Sequence, residues 1–379
     1  MGIISMFPID GRDSSSVANS KEVNFLDYDG TILYSYTAAE FAALSSMPAN
    51  PTHDGLTAQG WNWSLTNAKA YVAKYGKLNI GQMYITDDGK TRIYIHLEEG
   101  RTSPMLGVCP NGTVDIDWGD GTTHDTLTGS DTSTAVYTSA HSYAAPGDYV
   151  IQLTVTGSMG FRSNGPLVYA SESDNRDYVY KNAVQKVELG SGVTSISSSA
   201  FLVCYSLSSI TIPDSVISIG SSAFSSCYGL SSITIPDGVT SISSSAFRNC
   251  YGLSSITLPD GVTSISYSAF GNCCSLSSIT IPDGVTSIGE SAFSKCYGLS
   301  SITIPDGVTS ISYSAFSYCY GVAHLYFLPT TPPSVSNSDA FSKIPTDCVI
   351  HVPVGSLSAY TSATNYPSSS TYTYVEDIV

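Results

Sequence analysis

Charge is scarce in this chain, and positive charge is scarcer still. Asp, Glu, Lys and Arg make up 12% of its 379 residues, and 15 Lys and Arg against 31 Asp and Glu leave a net charge of −16. With no basic patch to release counterions, nucleic acid and anionic membranes are excluded as partners. No apolar run approaches membrane-spanning length, so no membrane insertion is expected. The opening Met1-Gly-Ile-Ile-Ser-Met-Phe-Pro-Ile-Asp10 lacks both a basic leader and a long apolar core, so no signal peptide is visible. The nine cysteines contain no Cys-x-x-Cys and no Cys/His zinc spacing. No Ser/His/Asp triad, phosphate-binding loop or catalytic carboxylate pair stands out, so an enzyme, a cofactor and a metal are not expected. No heptad marks a trimer, and a homo-oligomer stays open.

What the chain has is repetition. The sequence VTSISSSAFRNCYGLSSITLPDG from Val239 recurs with few changes from Val262 and Val285, a period of 23 residues. A unit this short cannot bury its own apolar face, so neighbours must stack into a solenoid. Phe201, Phe224, Phe247, Phe270, Phe293 and Phe316 form one column, and Cys204, Cys227, Cys250, Cys273, Cys296 and Cys319 another. Leu-x-x-Ile-x-Ile before Pro has the alternation of a short strand, Pro-Asp-Gly closes a turn, and Val-Thr-Ser-Ile reads as a second extended stretch. Stacked at strand spacing, six coils span about 30 Å. The cysteine column reads as buried free thiols acting as small hydrophobes, with side chains all pointing one way rather than at each other.

Positions that vary while the frame stays fixed must face solvent. Tyr205, Tyr228, Tyr251, Tyr297 and Tyr320 follow the cysteine column, with Cys274 breaking the row, and Tyr267, Tyr313 and Tyr318 vary against Ser, Arg or Lys. Tyrosine supplies rigid amphipathic contacts and serine adaptable hydrogen bonds, so these eight tyrosines are the candidate ligand-binding residues. The alternative is a row that only covers the corner of each coil. Asp214, Asp237, Asp260, Asp283 and Asp306 form a second exposed row, which turn chemistry explains more simply than Ca²⁺ binding.

Before the repeats, residues 1–20 read as a flexible arm and 21–97 as a small α+β domain. Val23-Asn-Phe-Leu and Ile32-Leu-Tyr-Ser-Tyr read as strands, Thr37-Ala-Ala-Glu40 as a capping box opening a helix, and Leu65 to Tyr75 as a second helix. Met83-Tyr-Ile-Thr and Arg92-Ile-Tyr-Ile-His are expected to form a hairpin over Asp87-Asp-Gly-Lys. Phe25-Leu-Asp27-Tyr-Asp29-Gly30-Thr31 resembles the first motif of the haloacid dehalogenase-like phosphatases, which implies a nucleophile at Asp27 and a general acid at Asp29. That reading needs a doubly wound parallel sheet. An Asp-Gly turn between two strands is the simpler one.

Two further resemblances cover the rest. Val114-Asp-Ile-Asp-Trp118-Gly-Asp120-Gly-Thr122, with His141-Ser-Tyr143 and Pro146-Gly-Asp-Tyr149, resembles a PKD-type immunoglobulin-like module. It implies a β-sandwich over 98–157 with Trp118 in its core, and structural roles for Asp117, Asp120 and His141. Residues 158–183 read as a linker. Ser-Ala-Phe-x-x-Cys-x-x-Leu-x-x-Ile-x-Ile-Pro, with Val352-Pro-Val-Gly-Ser-Leu-Ser-Ala-Tyr360, closely resembles the BspA-like leucine-rich repeats of bacterial surface proteins. It implies a solenoid over 184–353, a polar cap over 354–379, and non-enzymatic binding to a surface protein or glycan of a host cell or bacterium. A period slip marks Pro332-Pro333, since Phe341 lies 25 residues after Phe316. The expected setting is extracellular, on a bacterial surface or on a phage virion, where a tail-fibre or baseplate protein would carry an amino-terminal docking domain.

Overall fold

The computed structural model describes residues 2–4, 23–26, 32–49, 56–61, 69, 72–73, 78–86, 89–130, 136–161, 167–169 and 180–378. Nearly all of the 1–20 arm, the Asp27–Asp29 motif and most of the second expected helix lie outside them. The chain divides into two compact units, Met1–Gly89 and Lys90–Val379.

The first unit is a mixed sheet of β1 (Gly2–Ile4), β2 (Val23–Leu26), β3 (Ile32–Tyr36), β4 (Leu56–Trp61) and β5 (Leu78–Thr86), with helix α1 (Ala38–Ala42). The capping box forms as expected: Glu40 N–H donates to Thr37 Oγ1 at 3.2 Å, and Thr37 N–H to Glu40 Oε2 at 2.8 Å. Those bonds satisfy amides that a helix start leaves unpaired, and they place Phe41 against Phe25, ring centroids 5.9 Å apart. β2 runs parallel to β5 but antiparallel to β3, and β5 is antiparallel to β1 and β4. A doubly wound parallel sheet, the frame a phosphatase motif requires, is therefore not what these strands build.

The second unit opens with β6 (Thr91–Leu97), β7 (Met105–Asp117), β8 (Asp125–Ser130), β9 (Tyr137–Ala140), β10 (Gly147–Phe161), β11 (Val168–Tyr169) and β12 (Val184–Glu188). The expected hairpin between β5 and β6 does not form. β6 pairs instead with β10 on one edge and β12 on the other. Its alternation puts Ile93, Ile95 and Leu97 into the core, where they bury more apolar area than a free hairpin could. Over the span read as a sandwich and a linker, the described strands form one hydrogen-bonded sheet that continues into the solenoid. β10 runs through the residues read as linker as far as Phe161, whose ring packs 5.4 Å from Phe201. β7 and β10 meet at the paired glycines Gly112 and Gly157, with φ of +122° and +100°. A Cβ on Gly112 would sit 2.1 Å from the Thr156 carbonyl oxygen, so the backbones approach where only glycine fits.

From Val184 the chain coils. β12 pairs in parallel with Ser209–Thr211, and two ladders of short parallel strands follow, one of Ser-Ile-Thr segments and one of Thr-Ser-Ile segments. Inside, consecutive phenylalanine rings from Phe201 to Phe316 stack 5.2–5.5 Å apart. Phe341 keeps the stack at 5.9 Å across the slip. Each corner carries two left-handed residues flanking Ala-Phe, such as Ser245 and Asn249 with φ of 57° and 60°. Non-glycine residues enter that region at a cost. Repetition of neighbouring bonds holds them there, as Phe247 N–H to Ala269 O and Asn249 N–H to Gly271 O, both 2.8 Å. The closing segment differs from a simple polar cap: strand Thr373–Ile378 adds in parallel to Val349–Pro353, and Tyr360 is fully buried with its hydroxyl donating to Pro329 O at 2.6 Å.

Candidate functional site

The corner that carries the tyrosine row is built from the inside out. Each phenylalanine fixes its coil against the next, the left-handed residue two places later turns the chain, and the cysteine points inward. The column thiols of Cys227, Cys250, Cys273, Cys296 and Cys319 each donate to the carbonyl of the phenylalanine one coil earlier at 3.1–3.2 Å. Burial pushes Cys204, Cys250 and Cys319 up to about 12, and Cys227, Cys273 and Cys296 also well above the ordinary thiol range. All nine cysteines are free. The buried thiols of the column are poor nucleophiles and poor ligands, and they act as packing groups.

The next side chain is thrown outward. Tyr205, Tyr228 and Tyr251 stack at 4.3 and 4.8 Å, and Tyr297 and Tyr320 at 5.5 Å, with Tyr318 meeting Tyr320 edge-on. The row is thus two stacks separated by the coil of Cys274. Tyr267 and Tyr313 are exposed on the other side of the Ala-Phe corner and make no ring contact with either stack among the described residues. The eight candidate residues are therefore one interrupted row and two outliers. Within a stack the ring faces are used up, so ring edges and hydroxyls meet solvent. Along the row itself, a free face exists only where a stack ends.

Five aspartates of the second row are exposed. Each follows a proline whose carbonyl accepts the valine N–H three residues on at 3.0–3.1 Å, so the turn accounts for them. In the preceding sheet the PKD-like signature forms one packed group. Trp118 Nε1–H donates to Asp125 Oδ2 at 2.8 Å, Tyr143 O–H donates to Trp118 O at 2.8 Å, and His141 stacks on Trp118 at 5.0 Å with Nε2 2.7 Å from Asp120 Oδ2. Asp117 accepts from Gly119 N–H at 2.9 Å. The Thr122 hydroxyl first, and His141 after it, hold the Asp120 carboxyl down at about 2, against the opposing effect of burial.

One cluster has no counterpart among the sequence expectations. His351 Nδ1 lies 2.7 Å from Asp377 Oδ2, and its Nε2 lies 3.0 Å from His324 Nδ1. If His351 gives its Nδ1 proton to Asp377, its Nε2 accepts from His324, which assigns both tautomers. Tyr326 stacks on His351 at 4.3 Å. The signal lay in the columns, since His324 pairs with Ser301 and Tyr326 with His351 in the continuation of the Ser-Ile-Thr ladder. No hydroxyl nucleophile is hydrogen-bonded to either histidine among the described residues. A cavity of about 320 Å³ lies between β6, β10 and β12, lined by Tyr94, Asp148, Tyr149 and Lys186 among others. Two of its polar groups are already engaged by Glu188 beside it: Lys186 pairs with this buried carboxylate at 2.7 Å, and Tyr94 O–H donates to it at 3.0 Å.

Six copies of the BspA type leucine rich repeat region match residues 175–296 and 218–344. Among solved structures, a leucine-rich repeat protein of T. pallidum is 25% identical, with 48% of this chain and 84% of that one covered and a TM-score of 0.31. The pneumococcal vaccine antigen PcpA is 16% identical over 52% of this chain and 68% of its own, TM-score 0.35. A leucine-rich cell surface protein of Faecalibacterium prausnitzii is 21% identical over 60% and 93%, TM-score 0.29. No curated protein matches the sequence.

Proposed function

We propose that this chain, with its solenoid of BspA-type leucine-rich repeats, is a non-enzymatic extracellular recognition or adhesion protein that binds a surface protein or glycan through its outer face. The observation that carries the reading is the contrast between columns. Inward positions repeat almost unchanged and bury completely, whereas the outward Tyr, Arg, Lys, Ser and Glu positions differ from coil to coil on a rigid frame. A scaffold that holds variable tyrosines at fixed spacing presents contact area at little entropic cost. The chemistry points the same way, because eight of the nine thiols are buried and no serine, threonine or cysteine side chain is hydrogen-bonded to a histidine among the described residues. No helix among them is long and apolar enough to cross a membrane.

A second reading, a phage tail-fibre or baseplate receptor-binding protein, is favoured by one feature: a small amino-terminal unit distinct from the repeat-bearing unit. In that reading the first unit docks and the second reads a bacterial surface. Labelled full-length chain, and the unit Lys90–Val379, are titrated onto intact bacteria, host mucin and extracellular-matrix proteins. Saturable binding to mucin or matrix supports adhesion, and binding confined to particular bacterial strains supports the virion reading. If full-length protein binds none of these surfaces, both readings fall.

A further inference from the structure

The tyrosine row is interrupted at the coil of Cys274. Tyr251 and Tyr297 flank the coil of Cys274, so their rings stand two strand spacings apart, roughly 9–10 Å. No ring contact joins them, although every other adjacent pair in the row stacks. Tyr228, closed on both faces, is only partly exposed. Tyr251 and Tyr297 are 43% and 41% exposed, as rings with one free face each should be. Cys274 is half-buried between them, its thiol turned back to Asn272 O at 3.4 Å. The gap has the width of one missing ring. A puckered pyranose, thicker than a flat aromatic, fills it while keeping contact with both walls.

Charge narrows the occupant further. Only four Lys or Arg residues occur between 184 and 353, namely Lys186, Arg248, Lys295 and Lys343. Two of them, Arg248 and Lys295, belong to the coils on either side of Cys274. Both are exposed, and neither forms an ion pair among the described residues. Lys295 is close enough to favour the Cys274 thiolate against the larger effect of burial, which raises that thiol. Burial and Tyr228 likewise raise the Tyr251 hydroxyl, against the pull of Arg248. In a chain of net charge −16, two unpaired cations beside one slot mark an anion-binding edge.

We infer that Tyr251 and Tyr297 are the walls, and Cys274 the floor, of a slot that takes one carboxylate-bearing pyranose ring of a surface glycan, with Arg248 and Lys295 holding the carboxylate. The inference rests on the solenoid being a recognition surface and names the chemistry that one part of it selects. Tyrosine fills the equivalent position of the other coils, so Cys274→Tyr closes the slot without disturbing the frame.

The test is calorimetric titration of the full-length chain with 3′-sialyllactose, trigalacturonate and the neutral sugar lactose. Binding of a carboxylated probe, weakened by salt and absent with lactose, is expected. Which of the two binds separates a terminal acidic sugar from a uronic acid. Cys274→Tyr should lower affinity on the order of tenfold to a hundredfold, the equivalent of two lost ring contacts. Arg248→Gln and Lys295→Gln should each lower it several-fold, and Cys274→Ala should retain it. Thermal unfolding confirms that each variant is folded. The inference is overturned if neither carboxylated sugar binds, if Cys274→Tyr binds as wild type does, or if the slot takes a tyrosine-containing peptide in preference to the sugars. Cell or mucin binding that survives in Cys274→Tyr, with no binding of either carboxylated sugar to the wild type, sinks the slot and leaves the broader function standing. Loss of every surface interaction in the wild type sinks both.

Discussion

The sheet of β6 to β10 and the coils that follow are both β-structure in one continuous core, yet they are ordered by opposite means. In the sheet every position is individual. His96 pairs with Asp148, His124 with Asp115 and His141 with Asp120, and two glycines accept a backbone approach that no other residue could. In the coils between 193 and 327 no ion pair occurs among the described residues, and one set of contacts recurs at each level: phenylalanine on phenylalanine, thiol to carbonyl, corner amide to corner carbonyl. The difference teaches where specificity can be stored. A repeated interior leaves the exterior free to vary, whereas a sheet of unique contacts has few positions to spare.

Breaking the phenylalanine stack should have the largest effect. Phe247→Ala removes a ring stacked on both faces and should destabilise by about 3–5 kcal/mol. Phe270→Ala should cost the same within error in chemical unfolding, because their surroundings are copies, and a clear inequality would show that the coils are not interchangeable. Gly112→Ala comes next, at about 1–3 kcal/mol, since its φ and the Thr156 carbonyl both oppose a Cβ. Gly261→Ala in the coils, where the nearest atom is 3.5 Å away, should be neutral or stabilising by up to about 1 kcal/mol. Equal losses at the two glycines would erase the contrast.

Acid should separate the regions more gently. Asp120 is held at about 2 in the folded chain, below an ordinary carboxyl near 3.9. Its contribution is therefore complete above that ordinary value and is lost as pH falls through about 2. Asp120→Asn should flatten the dependence of stability on pH in this window, while coil substitutions leave it unchanged. The smallest effect is a gain. Lys343 occupies the left-handed corner with φ of 64°, and Lys343→Asn, the residue found there at Asn249 and Asn272, should stabilise by about 0.5–1 kcal/mol.

The repeat made the solenoid legible, because period, column and turn chemistry agree at every coil. The capping box of α1 and the core position of Trp118 were legible for the same reason: each is a local pattern. The partner of β6 was not. Ile93 lies opposite Val187, a pairing between distant segments that alternation alone cannot reveal, so the hairpin with its sequence neighbour was the natural expectation. Six of the eight tyrosines expected outside are exposed, and Tyr205 and Tyr228 are partly so. Their division into two stacks with a gap needed the ring positions, and the His324–His351–Asp377 line needed the closing strand to be laid against β-ladder positions before it.

The joint between the regions also bears on how the chain grows into its shape. Lys186 and Val187 of β12 lie on Tyr94 and Ile93 of β6, Val193 lies beside Met159 at the end of β10, and Phe161 supports Phe201. Both strand ladders and the ring stack thus start on a ready-made surface of the antiparallel sheet, which sets their register once. After that each coil is a template for the next. Whole units of 23 residues could be added or removed between that foundation and the closing strand with no new kind of contact. Reach becomes a matter of counting coils, about 4.8 Å at a time.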